Sequence, residues 1–277
     1  MDHERLPRLR MLTPLRRRSD FASKRVRRGA YLLPSLFTMG NMFCGYCCIV
    51  YAIRGEFATA APFIGFAMVL DMLDGRVARM TNSTSDFGLE FDSLADVVSF
   101  GMAPALLSFM WGLQPLGRVG WAASFLFVAA AAVRLARFNI QSGSQDKRYF
   151  VGLPSPAAAA VPAATVFAYP VGFSYPVHAI AVLAMVVVPA MLMVSTVRFR
   201  SFKTIDLQSR RSYPFLILLA VGLALLAAQP ELLFVVLAYG YLASGLLGVA
   251  ITRLRRRPSH EDVATPESSE LKDSKAF

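Results

Sequence analysis

The sequence predicts an all-α, polytopic integral membrane protein of about eight transmembrane helices, and three observations carry the prediction. Of its 277 residues, 55% are hydrophobic and only 17% are charged, too apolar a balance for a soluble domain of this length. No Lys, Arg, Asp or Glu occurs from Tyr149 to Val197, a run long enough to cross a ~30 Å hydrocarbon core twice as helix. The cations between apolar runs fall on alternate loops, as expected where Lys and Arg are retained on the cytoplasmic side.

In chain order, residues 1–30 hold ten Lys or Arg against three acidic residues and lack the early apolar stretch of a secretory signal. They read as a basic cytoplasmic arm facing anionic lipid, and the net charge of +11 suits such a surface better than nucleic acid. Eight apolar runs follow, at about 31–53, 57–78, 94–114, 119–138, 155–173, 176–197, 213–229 and 231–252. The interruptions by Pro and Gly are tolerated in spanning helices whose neighbours satisfy the freed backbone groups. Arg76 and Arg79 end the second run; Arg134, Arg137, Lys147 and Arg148 follow the fourth; Arg198, Arg200, Lys203, Arg210 and Arg211 follow the sixth; Arg253 to Arg257 follow the eighth. The opposite loops carry Arg54 and Arg118. Both termini are therefore expected in the cytoplasm, with residues 31–252 as the membrane domain and residues 253–277 as a disordered tail. Cys44, Cys47 and Cys48 share one apolar run without His or acidic neighbours and read as packing residues. Gly240, Ser244 and Gly248 form a small-residue stripe on the eighth helix, suited to close helix contact within one chain or between two copies in a homodimer.

The second and third runs carry charge where a spanning helix tolerates it least: Asp71, Asp74, Arg76 and Arg79, then Asp92 and Asp96. An ionised Asp costs about 2.5–3.5 kcal/mol at the centre of such a helix. At about 100° per residue, Asp71, Asp74, Gly75, Ala78 and Arg79 share an arc of about 140°, and Gly88, Asp92 and Asp96 one of about 80° if that segment is helical. Four carboxylates converging near the cytoplasmic helix ends suit hard divalent cations, and a pair of such ions can clamp a phosphoryl group. Gly75 and Ala78 leave room for a bulky phosphate, and Arg79 offers a planar donor fork. Two other readings stand beside this one. Arg76 and Arg79 could neutralise two of the carboxylates in a buried network, or the acids could serve an ion-coupled transporter.

The spacing Asp71-x-x-Asp74-Gly75-x-x-Ala78-Arg79, then eight residues, then Gly88-x-x-x-Asp92-x-x-x-Asp96 resembles the signature of the CDP-alcohol phosphotransferase family. The resemblance implies an integral membrane enzyme in which an alcohol attacks the pyrophosphate of a CDP-linked lipid and CMP leaves. It implies Asp71, Asp74 and Asp92 as ligands of divalent cations, Mg²⁺ or Mn²⁺, two per active site. Asp96 would be the general base, close to or sharing the second metal. The same resemblance places Gly75, Ala78 and Arg79 at the nucleotide and phosphate.

The flanking segments Leu33-Pro34-Ser35-Leu36-Phe37-Thr38 with Gly40, Asn41 and Gly45, and Ser99 to Pro104, look like the branch of that family that makes phosphatidylserine in bacteria. Arg134 to Asn139 and Phe150 to Pro156 extend the likeness. Ser35 departs from it, standing where that branch has Asn. The branch implies CDP-diacylglycerol and L-serine as substrates, CMP as product and the bacterial inner membrane as location. A serine carboxylate calls for a bidentate Arg, which makes Arg134 and Arg137 candidates for the serine pocket; the alternative is that they serve as helix-end membrane anchors. Asn139 either caps its helix or touches the substrate. Asn41 is read as a nucleotide contact or as a polar link between helices. Glycerol phosphate, inositol phosphate and choline remain alternative acceptors.

Overall fold

The computed structural model describes residues 32–81, 85–141, 149–172, 176–195, 198–200 and 212–255. The basic arm, the tail from residue 256 and the loop that holds Lys203, Arg210 and Arg211 lie outside these residues. Each of the eight apolar runs contains a helix: α1 Leu32–Ile53, α2 Phe57–Met80, α3 Asp86–Leu116, α4 Arg118–Gln141, α5 Ser155–Ala168, α6 Pro176–Val194, α7 Ser212–Ala228 and α8 Pro230–Arg255. Six of them contain a stretch long and apolar enough to cross a membrane, so the chain is a multi-pass membrane protein. At 14 and 17 residues, α5 and α7 are shorter.

The observed bounds differ from the hydrophobic runs at several ends. α3 begins eight residues before the apolar run does, because Ser85, in extended conformation, caps it by accepting the Gly88 N–H at 3.0 Å. Its amphipathic first turns are invisible to hydropathy. α5 stops at Ala168, well short of residue 173. α8 runs to Arg255, three residues past the expected limit of the membrane domain. One non-helical element was not anticipated: β1, Tyr149–Val151, pairs antiparallel with β2, Arg198–Arg200, joining the loops that follow α4 and α6. At three residues each, these strands are too short for a period-two pattern to register.

α1 and α2 form an antiparallel hairpin through Arg54, Gly55 and Glu56 and make the most extensive pairwise packing in the bundle. α3 crosses beside them and is not a uniform helix. It opens into π-turns at Val97–Met102 and Phe109–Leu113, with the Ala103 N–H bonded to the Val98 carbonyl five residues back. Pro104 explains the first π-turn, since it has no N–H to give Phe100 in a regular α-helix. α5 is the central helix: Ser155, Ala158, Ala159, Val161, Pro162, Ala163, Ala164 and Val166 are all buried, against α2, α3 and α8.

Side-chain size is sorted for an apolar solvent. The interior is rich in Ala, with Phe100, Leu107, Trp111 and Phe127 among its few large members. Leu36, Phe43, Phe66, Trp121, Phe125 and Val177 point outward. Small interior residues let the backbones approach, which is how helices associate when the hydrophobic effect gives no preference between lipid and protein. Gly45 is the clearest case: a Cβ there would lie 2.7 Å from the Ser99 Cα, so only glycine allows α1 and α3 to touch at this level. Of the α8 stripe, Gly240 opens onto empty space and Ser244 is exposed, so the described chain does not use them for internal packing.

Candidate active site

Three carboxylates meet where α2 and α3 face each other. Asp71, Asp74 and Asp92 each bring one oxygen into a group whose members all lie within 4.8 Å of one another. Asp71 and Asp74 lie nine and six residues before the end of α2, and Asp92 six residues after the start of α3. The cluster thus sits about 9–14 Å inside those helix ends, in one half of the bundle. The helix phases predicted that Asp71, Asp74, Asp92 and Asp96 would converge, and the first three do; the Ser85 cap supports this by starting α3 early enough to bring Asp92 to the depth of Asp74.

The electrostatics of this group call for a cation. Asp74 is only 4% exposed, and the Oδ1 of Asp92 is buried with no hydrogen-bond partner among the described residues. Arg76 and Arg79 are both exposed, and among the described residues neither forms an ion pair with these acids, so the neutralised-network reading fails. Like charges held this close in a buried setting need a counter-charge. All-oxygen donors with an unpaired carboxylate oxygen fit a hard divalent ion.

Asp96 stands apart from that trio. One turn beyond Asp92 on α3 and 8% exposed, it accepts a hydrogen bond from Asn41 Nδ2 at 3.2 Å. Asn41 is fully buried in α1, and its own backbone carbonyl accepts the Ser99 hydroxyl at 2.8 Å. The structure therefore places Asn41 beside Asp96. Gly75, Ala78 and Arg79 lie on α2, and among the described residues the atoms a Cβ built on Gly75 would meet beyond its own helix backbone are the guanidinium nitrogens of Arg79, at 3.6 and 3.9 Å. A face with that fork over open space has room for a phosphate.

From α4, Arg134 donates through Nη1 to the buried Ser155 hydroxyl at 2.6 Å and lies over the Phe138 ring at 5.9 Å. Arg137, one turn on, is half-buried. Asn139 donates through Nδ2 to Ser93 at 2.9 Å, which ties α4 to the turn of α3 that carries Asp92. Ser155 reaches Arg134 because the chain bends sharply just before α5. Gly152 has φ +86°, and the next residue, Leu153, donates its N–H to the Leu192 carbonyl of α6 at 3.0 Å.

Two polar side chains at the site escape sequence reasoning. Thr38 donates to Asp74 Oδ2 at 3.0 Å from a position 4% exposed, and Ser155 holds Arg134. Their signal is faint: a hydroxyl in an apolar run usually bonds its own helix, as Ser108 does to Pro104.

Next to the site, α2, α5 and α8 enclose an apolar cleft of about 650 Å³, lined by Gly65, Phe66, Ala160, Ala164, Phe234 and Tyr241 among others.

A multi-pass helical bundle with clustered carboxylates in one half, a separate buried acid and a neighbouring arginine fork defines a class: membrane enzymes that handle phosphoryl groups with divalent cations. The family model for CDP-alcohol phosphatidyltransferases matches residues 31–197, and the chain belongs to that family. It is therefore a transferase of phospholipid metabolism, which sets the transporter reading aside. It is 40% identical over 205 residues to a CDP-diacylglycerol–serine O-phosphatidyltransferase of Helicobacter pylori, covering 72% of this chain and 83% of the relative. It is 33% identical over 217 residues to the enzyme of that name from Mycobacterium leprae, covering 76% and 72% respectively. To the Saccharomyces cerevisiae enzyme of that name it is 42% identical over 139 residues, 45% of this chain and 49% of the relative.

Proposed function

We propose that the protein transfers the phosphatidyl group of CDP-diacylglycerol to the hydroxyl of L-serine, giving phosphatidylserine and CMP. The convergence of Asp71, Asp74 and Asp92, with one buried oxygen unpaired, beside the separately held Asp96 carries this reading. The names of the relatives support the choice of serine.

Asp71, Asp74 and Asp92 would hold divalent cations, Mg²⁺ or Mn²⁺, two in the fullest form of the site. Bound there, such ions supply positive charge to the pyrophosphate and to the departing CMP. The chain's own groups do the rest. Thr38 fixes the Asp74 carboxylate through its hydrogen bond. Arg79, over the open face at Gly75 and Ala78, binds phosphate oxygens. Arg134, braced by Ser155, and Arg137 hold the serine carboxylate. Asp96, kept in orientation by Asn41, takes the proton of the serine hydroxyl as that oxygen attacks the lipid-bearing phosphorus. The apolar cleft between α2, α5 and α8 suits an acyl chain of the lipid substrate.

The loop charges favour a site and both termini in the cytoplasm, with the basic arm against anionic lipid, and the bacterial relatives named as serine transferases support a bacterial inner membrane as its location. The test is CMP release from CDP-diacylglycerol by the purified protein, with serine, glycerol phosphate, inositol phosphate and choline supplied in turn. Serine-dependent release alone is expected; release driven by another alcohol would reassign the acceptor.

A further inference from the structure

Asn41 has one polar atom more than its part in orienting Asp96 requires. It is fully buried in an apolar helix, and it is fixed twice by α3: its backbone carbonyl accepts the Ser99 hydroxyl, and its Nδ2 donates to Asp96 Oδ1. The side-chain Oδ1 is buried with no partner among the described residues. A buried acceptor left unmade is costly, the more so at membrane depth. The two ends of one amide are about 2.2 Å apart, so the unpaired oxygen stays within about 5.5 Å of the Asp96 carboxylate.

We infer that Asn41 Oδ1 accepts a hydrogen bond from the ammonium group of an amino-alcohol acceptor, which makes Asn41 a specificity-determining residue of this site. The inference rests on the serine reading and deepens it. In serine the hydroxyl and ammonium are two carbons apart, so the hydroxyl can face Asp96 while the ammonium faces the neighbouring amide oxygen. The carboxylate is left for Arg134. An acceptor atom selects for N–H donors. Choline, whose nitrogen carries no hydrogen, gains nothing there.

The experiment compares serine with 3-hydroxypropanoate, which keeps the hydroxyl and carboxylate and replaces the ammonium with hydrogen, by CMP release from CDP-diacylglycerol. Wild-type protein should favour serine in kcat/KM by a factor of about 10² or more. Asn41→Ala should shrink that ratio by about 10- to 100-fold. Loss of Asp96 orientation would slow both acceptors alike and cancel in the ratio, as would any loss of folded protein. Asn41→Asp keeps an oxygen for the ammonium and should preserve the serine preference even if turnover falls. A wild-type ratio near one, or an unchanged ratio in Asn41→Ala, overturns the inference. If serine elicits no CMP from wild-type protein, the serine assignment itself falls; if it does and the ratio stays fixed, only the role of Asn41 falls.

Discussion

Asp92 and Asp96 are one helical turn apart on α3, yet their surroundings differ, which is the basis of the different roles proposed for them. Asp92 joins the carboxylate trio, whereas Asp96 faces α1 and Asn41. Asp96→Asn should therefore lower kcat by about 10²–10⁴, the usual worth of a positioned base, while Mn²⁺ binding followed by electron paramagnetic resonance persists. Asp71→Asn and Asp92→Asn should weaken that binding, since a neutral amide leaves the cation under-neutralised. Loss of Mn²⁺ by Asp96→Asn to the same extent would make Asp96 a ligand instead. Thr38 allows a finer test. Thr38→Val removes the O–H that orients Asp74 and should weaken Mn²⁺ binding by about 10- to 100-fold, with Thr38→Ser restoring it. Equal affinity in all three proteins would show that Asp74 needs no such support.

At the scale of elements, the site depends on α1 and α3 touching at Gly45. A side chain there meets the Ser99 backbone, and Ser99 in turn bonds the Asn41 carbonyl, so the contact that admits only glycine also sets the register of Asn41 against Asp96. Gly45→Ala should destabilise the purified protein by about 1–3 kcal/mol, the common effect of overpacking, read as a lower thermal midpoint in detergent. Gly222→Ala on α7 is the control: a Cβ there meets nothing within 4 Å, and the change should be neutral or slightly stabilising. The π-turn that begins at Val97 belongs to the same arrangement. It re-phases α3 immediately after Asp96 and carries Ser99 to α1.

For the whole molecule, the helix ends divide between two faces. The connections at 54–56, 117 and 229 are tight and are the first, third and seventh in the chain, whereas β1 and β2 belong to the longer fourth and sixth connections and pair with each other. With Cys44, Cys47 and Cys48 replaced, a single cysteine at Gly55 should react with an impermeant reagent on intact cells, and one at His260 only after the membrane is opened. Labelling of position 260 from outside would reverse the proposed orientation or change the number of crossings.

Composition and hydropathy were enough to determine that this is a membrane bundle and roughly where its helices run. The 3.6-residue period was enough to put Asp71 and Asp74 on one stripe and Asp92 and Asp96 on another, because regular helix is a local property with a fixed angle per residue. The resemblance of the aspartate spacing to a known family is upheld by the match over residues 31–197. The early start of α3 depended on a single serine cap at the edge of the apolar signal. The tertiary structure alone paired Asn41 with Asp96, Thr38 with Asp74 and Arg134 with Ser155. These partners lie 55, 36 and 21 residues apart. Their meeting depends on which helices pack side by side, on a π-turn that shifts the phase of α3, and on a glycine bend before α5. No periodicity in one segment records such relations, because each is set by the shape of another segment.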